Sequence, residues 1–220
     1  MSLRLLFLDE MKGFYKSKVM LILWIGMPML SLLMHFLQAG AEDLPVSYLV
    51  GLVVASVGGT LASVVLSTSI VSEKNRNVYE LFLIRPVKRY NLLLAKYLAV
   101  YSSLIVATLI SIIVGIIVDN YTVGIQPDAF MDDTYDSIAI SLAAMSISCS
   151  VGIFLGILMS SVAAAAIISI YIGNTFSLLS ILPSVFLTDI NPRYFAILVG
   201  SIVTIVFLCI TFFLFRKKQL

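Results

Sequence analysis

Six long apolar stretches dominate the pattern of the chain, at 19–38, 46–70, 92–118, 137–159, 162–182 and 194–215. A helix rising about 1.5 Å per residue needs roughly 20 apolar residues to cross a hydrocarbon core of about 30 Å. Each stretch meets that length, so the pattern predicts six transmembrane helices. Pro28 marks a kink in the first, and Pro183 marks the end of the fifth. The boundary between the fourth and fifth is a tight, uncharged turn between Met159 and Val162. Ahead of the spans lies a stretch of different character, 2–17, in which Leu3, Phe7, Met11 and Phe14 recur at helical spacing while Asp9, Lys12 and Lys16 fall on the other side. That pattern predicts an interfacial helix with its apolar stripe towards the membrane, serving as an anchor, as a collar for a cytoplasmic partner, or as both.

Composition supports lipid as the solvent. Hydrophobic residues make up 60% of the 220 and charged residues 12%, against roughly 45–50% and about 25% in soluble domains. The expected fold class is therefore an all-α membrane protein: one transmembrane domain over 1–220, an amphipathic helix before it, and a short cytoplasmic helix between spans two and three. The net charge of +2 is less telling than where the charges fall. With the N-terminus inside, Arg193 is the single one of fourteen lysines and arginines that faces out, while Glu42, Asp43, Asp119, Asp128, Asp132, Asp133, Asp136 and Asp189 lie on the opposite side. The basic bias sets both termini in the cytoplasm, and the expected location is the plasma membrane. Ala39-Gly40-Ala41 resembles a signal-peptide cleavage site, but the apolar run before it is too long and its leading segment carries Asp9 and Glu10, so retention is expected.

Charge is scarce inside the spans. Between Glu80 and Asp119 the charged residues are a basic group ending at Lys96, and between Asp136 and Asp189 there is none. Such charges cost at least about 2.5–3.5 kcal/mol at the bilayer centre, and those that persist mark ion pathways and proton relays. No such relay is present, which disfavours an ion-driven carrier, although backbone carbonyls can also bind sodium. The polar groups are small: Gly51, Ala55, Gly59, Ser63 and Ser67 repeat every four residues, as do Ser148, Gly152, Gly156 and Ser160, and Ser169, Gly173 and Ser177 with Asn174 beside them. Small faces let helices approach closely and hydroxyls bond across the contact. Either these faces serve plain helix packing, or Gly59, Ser63, Ser67, Ser169, Gly173, Asn174 and Ser177 line a central cavity or a dimer seam, with Asn174 the leading cavity residue. Cys149 and Cys209 read as small packing residues, and His35 and Trp24 as interfacial or packed. The acidic outer loop 119–136 reads as solvated or as a weak divalent-cation site; Asn120-Tyr121-Thr122 fits a glycosylation pattern but lies close to the membrane. No metal site is expected within the membrane.

The most informative stretch runs from Ser72 to Lys96. Ser72 can cap a helix and Glu73 favours its N-terminus; Val78, Leu81 and Phe82 form one apolar face, away from Glu73, Arg76 and Glu80. Arg85 precedes Pro86, where a helix should stop, and Lys88-Arg89 forms a basic turn. This stretch resembles the loop after the second span of type-2 ABC transporter permeases, the ABCG-like exporters. Glu73 and Glu80 match the two acids of that pattern, Leu81–Leu83 the apolar run, Pro86-Val87 the turn, and Arg89 and Lys96 the basic positions. Asn77 replaces a usual glycine, Val78 and Tyr79 replace Thr-Leu, and Ala95 replaces the glycine before Lys96. The likeness extends to the leading helix, the six spans, the turn after the fourth, Asn191-Pro192 before the last span, and the basic tail Arg216-Lys217-Lys218.

The resemblance implies that the short helix, with Glu73, Arg76, Glu80, Leu81, Phe82, Arg85 and Pro86, docks in a separate ABC ATPase subunit that binds ATP and Mg. It also implies pairing with a second copy or a related permease. The chain has no Gly-x-x-x-x-Gly-Lys-[Ser/Thr] phosphate loop, so it is not expected to be an enzyme by itself or to hold a cofactor, and its remaining partner is membrane lipid, not nucleic acid. An exporter permease is the leading expectation; an ion-driven secondary carrier or channel and a non-transporting scaffold are the alternatives. The Ser, Thr, Gly and aliphatic faces suit amphipathic or lipid-like substrates, without identifying one.

Overall fold

The computed structural model describes residues 3–16, 18–37, 46–76, 89–122, 127–186 and 191–217. Among them the chain is entirely helical, as its patterning requires, with seven helices and no strand: α1 (Leu3–Tyr15), α2 (Lys18–Leu37), α3 (Val46–Asn75), α4 (Arg89–Thr122), α5 (Pro127–Leu158), α6 (Val162–Phe186) and α7 (Pro192–Lys217). Five of them, α3 to α7, are long and apolar enough to cross a membrane. The axes of α1 and α2 differ by 69°, and this bent pair supplies at most one further span. The protein is thus a multi-pass helical membrane protein by the length and composition of its elements.

One expectation changes. The outer loop expected over 119–136 is mostly helix, because α4 continues to Thr122 and α5 begins at Pro127. Proline at the first helical position loses no intrahelical bond. Both helices therefore run past their apolar segments. By contrast, the chain does break between α5 and α6: Met159 closes the last turn of α5 by donating its N–H to Leu155 O, and Ser161 O accepts the first bond of α6 from Ala165 N.

α3 and α5 form the centre of the bundle. α6 and α7 cover one side of this pair, while α4 lies on the other side, with α1 and α2 packed onto it. The apolar segment of α5 is 78% buried within the chain, whereas that of α7 is 17% buried, so α7 presents most of its surface outward. Met27, Leu66, Leu93, Leu104, Met145 and Ile153 join α2 to α5 in the main core. A second apolar layer sets Phe154 against Phe207 at 5.6 Å and Phe176 against Phe207 at 5.1 Å, both edge-to-face, a favoured aromatic geometry.

Lipid is as apolar as a protein core, so burying leucines does not by itself draw spans together; close packing and hydrogen bonds do. The hydroxyls in the interior obey this. Many bond back to a carbonyl three or four residues earlier, as Ser67 does to Val64 O at 3.1 Å and Ser150 to Ile147 O at 2.6 Å. Others reach across helices, as Ser111 Oγ does to Met27 O at 2.9 Å. α1 joins the bundle through Leu6, which is buried, through Phe14 against the main core, and through Ser102 Oγ, which donates to Met11 Sδ at 3.5 Å. Asp9, Lys12 and Lys16 are exposed, as the spacing predicts.

Candidate functional site

The three small-residue stripes meet one another inside a single chain. α3 and α5 run parallel: Gly51 abuts Ser137, Gly59 abuts Ser148, Gly152 abuts Ser63 and Gly156 abuts Ser67 and Ile70. At Gly152 a Cβ would lie 2.7 Å from the Ser63 carbonyl oxygen and 2.8 Å from its Cα. Two backbones approach that closely only where one has no side chain. α6 runs antiparallel to α3 along the next face, where Gly59 meets Ser177, Gly173 meets Ser63 and Ser169 meets Ser67. Ser169 Oγ donates to Ser67 Oγ at 2.7 Å, and Ser148 Oγ donates to Gly173 O at 3.3 Å.

The residues expected at a cavity or dimer seam thus divide into two groups. Gly59, Ser63, Ser67, Ser169, Gly173 and Ser177 are buried between α3, α5 and α6. There they face one another rather than an open space. Asn174 is half-buried at the edge of this seam, where its Oδ1 accepts from Ser56 Oγ at 3.2 Å. Beyond it the outward face of α6 carries Tyr171, 72% exposed, and Thr175, also exposed. Tyr171 is the midpoint of the apolar segment Val162–Ser180. A phenol and an amide at that depth are costly against hydrocarbon unless something polar covers them. Ser63 Oγ is itself buried and has no hydrogen-bond partner among the described residues.

A charge cluster gathers at the end of the bundle where α3 finishes and α4 starts. Lys96 Nζ lies 2.9 and 3.0 Å from the two carboxylate oxygens of Glu10 and 2.5 Å from Glu73 Oε1. The Lys96 side chain is 5% exposed, and Glu10 and Glu73 are 31% and 26% exposed. One cation therefore ties α1, α3 and α4 together. Next to it Lys74 Nζ donates to Met159 O at 3.5 Å and Asn75 Nδ2 to Ser160 O at 3.1 Å. These bonds fasten the same end of α3 to the α5–α6 turn.

Ser72 and Glu73, read as the cap and first turn of a separate short helix, lie instead in the last turns of α3, which runs on to Asn75. Of the residues expected to contact an ATPase, Glu73 is engaged with Lys96, and Arg76 is exposed where α3 ends. Glu80, Leu81, Phe82, Arg85 and Pro86 lie outside the described residues. Sequence reasoning did not find the part played by Glu10, although a lone lysine inside an apolar run is a signal that a carboxylate must reach it.

At the opposite end of the bundle, Arg193 at the start of α7 donates through Nε to Asp136 Oδ1 at 2.9 Å and stands 3.6 Å from the Asp132 carboxylate. Its guanidinium also lies over the Tyr135 ring, 5.5 Å from the centroid. Of the acidic residues read as a solvated stretch or weak cation site, Asp132 and Asp136 are here partners of an arginine, while Asp133 is exposed. Cys149 and Cys209 are free thiols, the first in the core and the second exposed. Hydroxyls link α4, α5 and α7 in the interior: Tyr97 OH and Ser146 Oγ are 2.7 Å apart, and Ser146 Oγ and Thr204 Oγ1 are 2.9 Å apart.

These elements define an all-helical, multi-pass membrane protein whose helices are locked by small residues at the centre and by ionic clamps at both ends. A family model described as "Protein of unknown function (DUF2705)" matches residues 47–188, more than half of the chain, and the protein belongs to that family. The matched region runs from the start of α3 to the end of α6, which takes in the whole small-residue seam. No curated protein matches the sequence.

Proposed function

We propose that this chain is the transmembrane permease subunit of an ATP-driven ABC exporter of the plasma membrane, with six spans and both termini cytoplasmic. A separate ATPase subunit binds ATP and Mg and supplies the force, and a second copy or a related permease completes the pathway. The observation that carries the reading is the Lys96 cluster. It makes the leading helix, the end of α3 and the start of α4 one mechanical unit, bordering the stretch 77–88 that resembles the family's docking helix. Force delivered to that stretch reaches α3 and α4 directly, and through Lys74 and Asn75 it also reaches the α5–α6 turn.

Two further observations support it. The contacts alternate as the charge bias requires: the Lys96 cluster and the α5–α6 turn share one end, and Arg193 with its aspartates occupies the other. The Thr175 hydroxyl is satisfied by Tyr171 O at 2.8 Å, but the exposed Tyr171 phenol at mid-span, beside half-buried Asn174, calls for a polar cover, which a second copy or an aqueous pathway would provide.

The test is co-purification of the chain with its ATPase and reconstitution of the pair in vesicles. Glu80→Gln, in the docking stretch, is expected to lower substrate-dependent ATP turnover with the complex still assembled. Unaltered turnover in that variant removes Glu80 from coupling. Transport by the chain alone, driven by an ion gradient without ATP, overturns the reading in favour of a secondary carrier.

A further inference from the structure

A groove of some 420 Å³ runs along the seam of α5 and α7, with Tyr101 of α4 at its inner end. That volume lies within the range of small-molecule sites. Its floor is the contact of Ala143 with Gly200, so close that a Cβ on Gly200 would lie 2.8 Å from that of Ala143. The short side chains of Ala139, Ala143, Gly200 and Ser201 leave a groove on the surface above the packed backbones. From Tyr135 to Ser146, both lining residues of α5, it extends over about 16 Å of helix. The polar atoms deep in the groove are already satisfied. Tyr101 OH donates to Leu142 O at 3.3 Å, and Ser146 is held between Tyr97 and Thr204. To an occupant, the inner part of the groove is apolar.

The mouth is different. It opens at the start of both helices, beside Arg193 and Tyr135. Arg193 is engaged by Asp136 and Asp132, and Asp133 is exposed on the next residue. Arg193 lines the groove and Asp132 and Asp136 flank it, and two carboxylates against one guanidinium leave the mouth with a negative balance. An anionic head group would have to displace two aspartates from Arg193, whereas a cationic one meets the Asp132 carboxylate, which is 81% exposed, and the exposed part of Tyr135.

We propose that this groove binds a single-chain amphiphile with a cationic head group, its tail along α5 and α7 and its head between Asp132 and Tyr135. The site does not depend on the ATPase reading, and its failure would leave that reading untouched.

The test uses the full chain in lipid nanodiscs and three photoactivatable dodecyl probes that differ only in the head group: trimethylammonium, hydroxyl or sulfate. Labelled residues are mapped by mass spectrometry. The trimethylammonium probe is expected to label α5 and α7 along the groove at least about threefold more than the sulfate probe. Asp132→Asn should level the three head groups. The residue is exposed, so the fold should tolerate the change, and the Asp136–Arg193 bond remains. Ser201→Phe, at an exposed lining position, should suppress labelling by all three probes. Equal labelling by cationic and anionic probes in the unmodified protein overturns the charge preference. Unchanged labelling in Ser201→Phe overturns the site itself. Size-exclusion profiles of both variants guard against misfolding, and competition by unlabelled dodecyltrimethylammonium on the unmodified chain gives a readout that needs no variant.

Discussion

At Gly152 the backbones of α3 and α5 come closer than any side chain permits, because the Ser63 carbonyl occupies the space a Cβ would need. The neighbour there is backbone, which cannot rotate away, so even a methyl group must force the helices apart. Gly152→Ala is expected to destabilise the protein by about 1–3 kcal/mol, the usual range for overpacking, read as a lower denaturation midpoint in mixed micelles. Gly13, in α1, has nothing within 4 Å of its virtual Cβ. Gly13→Ala should leave the midpoint unchanged or raise it by up to about 1 kcal/mol through helix propensity. A midpoint for Gly152→Ala equal to that of Gly13→Ala would show that α3 and α5 are not seated as described. The spacing of Gly51, Gly59, Ser63 and Ser67 marked this face in the chain. It could not say whether the face meets α5, α6, a cavity or another copy, since a stripe of small residues suits all four.

Among the elements, α1 is tied to the bundle by one ion pair as well as by apolar contacts. Lys96 is nearly fully buried and is neutralised by carboxylates from two other helices. Removing one member of a buried ion pair typically costs about 3–5 kcal/mol, because the other is left without compensation. Here the carboxylates retain partial exposure, so Lys96→Met is expected at the low end, about 3 kcal/mol. Glu10→Gln leaves Lys96 paired with Glu73 and should cost about 1 kcal/mol or less. Limited proteolysis separates the two effects: both variants should release α1 to cleavage, but Lys96→Met should also loosen the start of α4. If α1 is as protected in Glu10→Gln as in the unmodified chain, the apolar contacts of Leu6 and Phe14 hold it without the charge. The helix itself was legible from the periodicity of Leu3, Phe7, Met11 and Phe14. Its docking was not, because Glu10 and Lys96 are separated by 86 residues and no local pattern links them.

For the whole molecule, the outward α6 face with Tyr171 and Thr175 is the surface on which a second copy is expected. If a second copy lies there, Thr175→Cys in a Cys209→Ser background should form a disulfide-linked dimer under mild oxidation in membranes. Cys209 must be removed because it is exposed, whereas Cys149 is buried and out of reach. A cysteine on the outward face of α7, such as Ile205→Cys, serves as the control and should remain monomeric. Cross-linking at position 205 and none at 175 would transfer the seam to α7.

The extent of the apolar helices and the basic bias of one set of their ends are legible along the chain, because they depend on one-dimensional quantities: the thickness of hydrocarbon a helix must cross and the cost of placing charge in it. Pairing is another matter. In lipid no hydrophobic force selects which faces meet, and the choice falls to steric fit and hydrogen bonding between distant segments. Folding alone therefore decided that the α3 stripe is shared by α5 and α6. In the same way it brought Glu10 to Lys96 and Asp136 to Arg193, and it left a surface groove along the α5–α7 contact, where small residues let the backbones meet and little side chain stands above them.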